Sequence, residues 1–314
     1  MKMTLISTVL NEGATIDTFL DSILSQTVLP DEIIIVDGGS IDGTSDILSS
    51  YESQFKDIGV SFKIFTLKGN RAVGRNYAVR KASYEHILCS DVGCELDKWW
   101  VSFMKKAFKR DVDVVGGYYY SFKDSDSIFQ KCVGVYMSVM PDKLNQASFL
   151  PSSRSIGFTK AAWKSVGGYP EDLDTSEDLQ FVRALKTGGA HFTTQKKALV
   201  YWPQSRSLLV AFLKFFKYAR GDAEALYFRP NVYLLFVRYI LFMILLMLNF
   251  FGFGMLGFMV IGASYFLWSI QKNIRYLQRH PLSIVLLPLI QVTADSAVML
   301  GTASGVLTRI LSRY

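Results

Sequence analysis

Apolar positions in the first hundred residues follow two alternating rhythms. Residues 4–10, 32–36, 62–67 and 87–90 form short apolar or β-branched runs, the pattern of strands buried on both faces. Between them, residues 14–25, 44–51 and 71–82 predict helices. In the first of these, Ile16, Phe19, Leu20, Ile23 and Leu24 share one side. Strands alternating with helices predict an α/β domain on a parallel sheet. Farther along, residues 113–119 and 197–202 predict strands, and residues 161–165 and 178–186 predict short helices. Residues 214–226, mixed basic and aromatic, predict a helix at a membrane interface.

Beyond residue 231 this alternation stops. "VYLLFVRYILFMILLMLNFFGFGMLGFMVIGASYFLWSI", residues 232–270, carries one charge, Arg238. The run is about 40 residues long, twice the roughly 20 that one bilayer crossing needs. "NFFGFG" at 249–254 predicts a turn between two spans, near 232–249 and 252–270. A third apolar segment, 283–307, is interrupted by Pro288, Gln291 and Asp295. The pattern predicts a globular domain over 1–228, its last part (207–228) interfacial, and a membrane domain over 229–314. The membrane segment accounts for the positive mean hydropathy of +0.23.

Charge sets the expected orientation. Lys214, Lys217, Arg220 and Arg229 precede the first span, and Lys272, Arg275 and Arg279 separate the second from the third. Both clusters favour the cytoplasm, which predicts a multi-pass protein with a cytoplasmic amino domain. Arg309 and Arg313 fit less well, because three crossings would place them outside. The net charge of +7 suits anionic lipid or bound phosphates. It does not point to nucleic acid, since neither aromatic-basic interleaving nor a recognition helix accompanies it. The amino terminus does not read as a signal peptide. Cys89, Cys94 and Cys132 form neither a disulfide framework nor a zinc spacing, and read as buried thiols.

Three acidic clusters follow predicted strands: Asn11-Glu12, Asp37 and Asp91. Parallel neighbours present their carboxyl ends on one edge, so these groups are expected to face one crevice. Neither a GxxxxGK loop nor a GxGxxG after the first strand occurs, which removes the usual support for ATP or dinucleotide binding.

"STVLNEGATIDTFLDSILSQTVLPDEIIIVDGGSIDGT", then "RAVGRNYAVRKASYEHILCSDVG", then "SEDLQF" together resemble family 2 glycosyltransferases of the GT-A fold, over residues 4 to 225. The resemblance implies a Rossmann-like nucleotide-sugar-binding domain, inversion at the anomeric carbon, and a divalent cation, Mg²⁺ or Mn²⁺, on the donor diphosphate. It places Leu10, Asn11 and Glu12 along the base and ribose, Asp37 on the nucleoside, and Ser40 in the same loop. It puts Arg71 and Arg75 near the diphosphate, with a surface helix of solvated arginines as the alternative. Asp91 matches the first acid of the metal-binding Asp-x-Asp, and Asp178 the catalytic base, with Glu177 beside it. Gln204 and Arg206, in "WPQSRS", match a segment that closes over the diphosphate.

Two positions depart from the family pattern. The usual "VDDGS" is "VDGGS", with Gly38 in place of the second acid, and Gly93 stands where the second acid of Asp-x-Asp belongs. Glu95 is a candidate substitute ligand near the same loop, with a solvent-facing residue as the equal alternative.

The resulting expectation is an enzyme that transfers a hexosyl or N-acetylhexosaminyl group to a membrane lipid or lipid-linked acceptor. A polyprenyl phosphate acceptor, already ionised, would need no base, and Asp178 would then position it or organise the metal. The competing expectation is a degenerate nucleotide-sugar-binding scaffold, or a subunit of a polysaccharide synthase or export complex.

Overall fold

The computed structural model describes residues 1–145, 148–230, 232–250 and 255–311. Eight strands, β1 (Met3–Val9), β2 (Glu32–Asp37), β3 (Ser61–Thr66), β4 (His86–Cys89), β5 (Glu95–Leu96), β6 (Val114–Tyr120), β7 (Ile156–Thr159) and β8 (Phe192–Tyr201), form one mixed sheet. Its order is β3-β2-β1-β4-β7-β6-β8-β5. The helices are α1 (Ile16–Leu24), α2 (Thr44–Ser50), α3 (Glu52–Asp57), α4 (Arg71–Lys81), α5 (Trp100–Ala107), α6 (Ile128–Met137), α7 (Lys160–Ser165), α8 (Glu177–Thr187), α9 (Leu208–Glu224), α10 (Val232–Phe250), α11 (Met255–Gln271) and α12 (Ser283–Leu311).

The chain divides into two compact units. The first comprises Met1–Tyr120 and Met140–Pro203; the second comprises Ser121–Val139 and Gln204–Tyr314. The first holds the whole sheet. In β2, Ile33 and Ile35 enter one core while Ile34 and Val36 enter the other. This two-sided burial is why the strand reads as an unbroken apolar run. Helices α1, α2, α3 and α5 cover one face, with Phe19, Leu48, Phe55 and Trp100 fully buried. Helices α4, α7 and α8 cover the other, through Val79, Ala162 and Phe181.

Strands β1 to β4 are mutually parallel where they pair, as the helix-strand alternation requires. Strand β7 is antiparallel to β4, and β6 is antiparallel to β7. Two reversals return β6, and β8 parallel to it, to the direction of β4.

A buried acid clasps the amino-terminal end of β2. Glu32, 1% exposed, accepts hydrogen bonds from Thr4 Oγ1 (2.6 Å), Ser83 N and Oγ (both 2.8 Å) and Lys63 Nζ (2.6 Å). Burial alone would raise its carboxyl, but the bonds from Lys63, Thr4 and Ser83 outweigh it and hold the group below its ordinary value. Glu32→Ala is expected to cost about 3 kcal/mol at pH 7, since several donors to a charged acceptor lose their partner at once. A depressed carboxyl stabilises the fold above its unfolded pKa and loses that contribution as pH falls through the folded value. The deficit should therefore shrink from about pH 4.5 downward. Thermal unfolding of both proteins between pH 7 and pH 3.5 checks this.

The second unit contains α6 and α9 to α12. Helix α6 begins with a capping box, Ser127 and Gln130, and its Tyr136 hydroxyl donates to the Leu287 carbonyl of α12 (3.1 Å). Among the described residues, α12 is the one helix long and apolar enough to cross a membrane, and 44% of its most apolar stretch is buried within the protein. The turn expected within 249–254 falls on residues 251–254, outside the described residues, as does Arg313.

Candidate functional site

The carboxyl ends of β1, β2 and β4 share one sheet edge, and the loop before β7 joins them there. Because β7 runs against β4 with Ile156 opposite Cys89, residues 152–155 enter the sheet where β4 leaves it. Ser90 Oγ ties the two together by donating to the Arg154 carbonyl (2.8 Å), while Ser7 Oγ donates to the Ser90 carbonyl (2.7 Å). The ends of β6 and β8, at Tyr120 and Tyr201, reach the same edge.

Asp37 organises the first loop of this edge. It is 1% exposed; Oδ1 accepts from Gly39 N (3.0 Å), Ser40 N (2.9 Å) and Ser40 Oγ (2.7 Å), and Oδ2 accepts from Ser45 Oγ (2.7 Å). Burial pushes the carboxyl up; the bonds from Ser45, Ser40 and Gly39 more than offset this, keeping it low and ionised. All four bonds come from its own chain neighbourhood. Asp37 thus holds the loop, and a nucleoside would meet that loop rather than a free Asp37 carboxylate. Gly39 permits the turn with φ of +100°. A second clasp joins this loop to the end of β1: Ser40 Oγ accepts from Asn11 N (2.9 Å), and Asn11 Oδ1 accepts from Ile41 N (2.9 Å). Asn11 itself is left-handed, φ +54°. Glu12 N donates to Thr44 Oγ1, and Asp42 caps Gly13 N. Leu10 stays exposed at the strand end.

Arg75 links the next two elements. It lies on the inner face of α4, 2% exposed, donating Nη1 to Glu177 Oε1 (2.6 Å) and Nη2 to Asp91 Oδ1 (2.7 Å). Its guanidinium also sits 5.4 Å from the centre of the Tyr169 ring. The surface-helix alternative therefore holds for Arg71, which is exposed, and not for Arg75. One cation serves two acids with opposite outcomes. Burial raises both carboxyls, but Asp91 also feels Arg154 and Arg71 and ends below its ordinary value. Glu177, deeper and beside Asp178, ends above it despite Arg75. The buried Glu177, 3% exposed, is thus a partner of Arg75, not an acid facing solvent.

Asp178 is placed differently. It is partly exposed, its Oδ2 accepting from Ser152 Oγ (2.8 Å) and Ser153 N (3.2 Å). The preceding Ser176 is left-handed, φ +65°, an uncommon conformation for a residue with a side chain, and it turns the chain sharply into α8. Arg154 stacks its guanidinium 3.9 Å from the centre of the Trp202 ring, donates Nη1 to Ser152 Oγ (3.0 Å), and adds positive potential at Asp91.

Arg154 and Asn76 were not singled out from the sequence. Asn76, 3% exposed, receives Tyr169 N and Trp163 Nε1 and donates to the Tyr169 carbonyl, fixing the loop that leads to α8. The signals were present as "GRN" in the middle of a predicted helix and as the polar "SSRS" between apolar segments. Gln204 and Arg206 belong to the second unit. Gln204 is buried there, its carbonyl accepting from Gln130 Nε2 (3.0 Å), and Arg206 is exposed just before α9.

Comparison with known proteins gives this edge its context. Residues 4–164 match the family model described as glycosyl transferase family 2. The chain belongs to this family. The chain is 26% identical over 226 residues to a poly-beta-1,6-N-acetyl-D-glucosamine synthase of Staphylococcus epidermidis, an alignment covering 69% of this chain and 53% of that protein. It is 27% identical over 237 residues to the succinoglycan biosynthesis protein ExoA of Rhizobium meliloti, covering 68% of this chain and 67% of that one. The chain thus spans about half the length of the synthase and two thirds of the second relative. Among solved structures, a mannosyltransferase from Pyrobaculum calidifontis in complex with GDP-Man and Mn2+ shares the fold at TM-score 0.62 and 15% identity. That match covers 98% of this chain and 88% of the other. The TarS structure of S. aureus matches at TM-score 0.50 and 19% identity, covering 71% of this chain and 42% of that one.

As a family 2 glycosyltransferase, the chain raises the question of a divalent cation. Among the described residues, no group of three or more His, Cys, Asp or Glu side chains could hold a metal ion. Asp91 Oδ1 is engaged by Arg75, which leaves Oδ2. This donor set fits an ion held chiefly by the donor's own phosphate oxygens, with Asp91 as the protein ligand. Gly93 cannot add a carboxylate without strain, because its φ is +87°; a Cβ there would lie 3.8 Å from Glu12 Oε2.

Proposed function

We propose that this glycosyltransferase inverts the sugar it moves from a nucleotide-sugar donor to a membrane-associated acceptor. The observation that carries the reading is the division of labour at the head of α8: Glu177 is locked to Arg75, while Asp178 is partly exposed on two serine donors. In the reaction, the acceptor hydroxyl oxygen bonds to the anomeric carbon from the face opposite the diphosphate. The bond from that carbon to the diphosphate oxygen breaks, and the hydroxyl proton passes to the Asp178 carboxylate. The loop organised by Asp37, with Leu10, Asn11, Glu12 and Ser40, takes the nucleoside. Arg71 and Arg154 face the charge that develops on the departing diphosphate. Asp91 Oδ2 would hold a divalent cation, which when bound supplies further neutralisation of that diphosphate.

A membrane-associated acceptor is supported by the second unit, whose helices α10 and α11 expose Leu234, Ile240, Met247, Leu256 and Leu267. Relatives named for poly-N-acetylglucosamine and succinoglycan synthesis support a saccharide-building role.

Arg154→Ala is expected to lower kcat by about 10²-fold, the usual effect of removing one donor aimed at developing charge. Arg154→Lys should recover only part of it, because an ammonium cannot stack flat on Trp202 as the guanidinium does. Steady-state transfer rates of the two variants check this. The reading as a whole is tested by a thermal-shift panel of UDP-, GDP- and dTDP-sugars, with and without Mn²⁺. A true donor stabilises the folded state by mass action, and failure of every donor to do so would contradict the reading.

A further inference from the structure

The second unit contains two kinds of apolar helix. On α10, Ile240, Leu241, Met243 and Leu246 are all exposed, and at 3.6 residues per turn they spread over more than half of the helix circumference. Helix α12 is different. Its exposed apolar residues Val285, Leu289, Val292, Leu300 and Leu307 recur at helical spacing and form a single stripe. The opposite face is buried against protein, and it includes polar Gln291, Asp295 and Thr302.

That buried face meets charged elements at two levels. At the first, Asp295 Oδ2 accepts from Arg238 (2.5 Å) and from the Tyr265 hydroxyl (2.7 Å). Arg238 lies in the second turn of α10, and Tyr265 and Trp268 in the last turns of α11, with Arg238 5.2 Å from the Trp268 ring centre. Charge together with Tyr and Trp is the composition of the headgroup region. At the second level, Gly301 and Gly305 bring the α12 backbone onto that of α9, where an added Cβ would strike the carbonyls of Phe216 and Arg220. There the outer side of α9 carries exposed Lys217 and Arg220, with Leu209 and Leu213 exposed one to three turns earlier.

Asp295 and Gly305 are ten positions apart, about 15 Å along a helix. Were α12 to cross the bilayer with Asp295 at the headgroups, Gly305 would lie near the middle of the roughly 30 Å hydrocarbon core. It would carry Arg220 and the Arg220–Glu224 ion pair (2.7 Å) with it. Reversing the depth buries Arg238 and Asp295 instead. Only a helix lying flat keeps both levels among the headgroups.

We propose that α9 and α12 lie side by side in the plane of the cytoplasmic leaflet, on anionic lipid. The apolar stripe of α12, with Leu209 and Leu213 of α9, faces the acyl chains, and α10 and α11 alone enter the bilayer. The carboxyl terminus then remains cytoplasmic. Arg309 joins Lys272, Arg275 and Arg279 on the side that basic residues favour, which removes the conflict of a third crossing. The inference rests on the membrane reading above, and not on the chemistry of transfer.

The experiment uses the full chain with a protease-cleavable tag after Tyr314, in sealed right-side-out and inverted bacterial membrane vesicles, alongside alkaline carbonate extraction. The expected result is retention in the carbonate pellet, cleavage of the tag in inverted vesicles, and protection in right-side-out ones. Cleavage in right-side-out vesicles, alone or equally with inverted ones, would overturn the in-plane placement of α12. Release by carbonate would overturn the membrane reading itself, and with it this inference, while leaving donor binding to be judged on its own assay.

Discussion

Replacing Arg75 with methionine is expected to destabilise the protein by about 3–5 kcal/mol, a large part of the 5–15 kcal/mol that holds a typical domain folded. Methionine fills much of the same volume but leaves the buried Glu177 and the partly exposed Asp91 without their shared cation. The loss should depend on pH. Glu177 already sits above the ordinary glutamate value, first because it is buried and further because Asp178 is adjacent; Arg75 pulls it back down. Without Arg75 it rises further. A carboxyl raised in the folded state costs nothing below its unfolded pKa and progressively more as pH rises toward its folded pKa. The deficit of Arg75→Met should therefore be larger at pH 8 than at pH 5, whereas a simple cavity would give the same deficit at both. Thermal unfolding at the two pH values measures it, and a deficit of under about 1 kcal/mol at pH 8 would contradict the burial of this ion triad.

The second large effect is on rate. Asp178→Asn is expected to lower kcat for sugar transfer by about 10²–10⁴-fold, the usual contribution of a general base, equivalent to roughly 3–5 kcal/mol of barrier. Asparagine keeps an oxygen that can accept from Ser152 Oγ and Ser153 N, so the head of α8 should keep its shape. Donor KM should change little, because the proposed role of Asp178 is on the acceptor. Glu177→Gln provides the contrast. It weakens the pairing of buried Arg75, so it should lower the unfolding temperature more than Asp178→Asn does. A base and a positioning residue, neighbours in sequence, are thus separated by which readout moves.

Periodicity made the first unit legible where each element is long and bounded. The run "EIIIV" is buried on both faces because the sheet is covered on both faces, and the helix of Ile16, Phe19, Leu20 and Ile23 packs with that side inward. The expected start of β8 at residue 197 missed its first five residues, Phe192–Lys196, where only the phenylalanine is apolar and the strand is partly exposed. Strand β7 has four residues, one of them glycine, and local pattern could not signal its reversal against β4. The same limit applied to the site. Asp37 and Asp91 were legible as acids at strand ends. That Asp37 turns into its own loop, or that Arg75 turns inward to Glu177 over a separation of 102 residues, depends on tertiary packing. Arg154 escaped notice because its partners, Trp202 and the end of β4, are brought to it by the antiparallel entry of β7. In the second unit, the apolar run 283–307 was legible as the long helix α12, whereas the close packing of its Gly301 and Gly305 on α9 depends on tertiary structure.

The most direct test of the central claim is release of nucleoside diphosphate from UDP-, GDP- and dTDP-sugars by the full-length protein, with total membrane lipids supplied as acceptor, for wild type and Asp178→Asn in parallel. The account predicts that at least one donor is turned over by the wild type, with incorporation of its sugar into lipid-extractable material, and that Asp178→Asn binds that donor equally well while its turnover falls at least 100-fold. Donor binding by the wild type without turnover of any donor would contradict it and identify a nucleotide-sugar-binding scaffold instead.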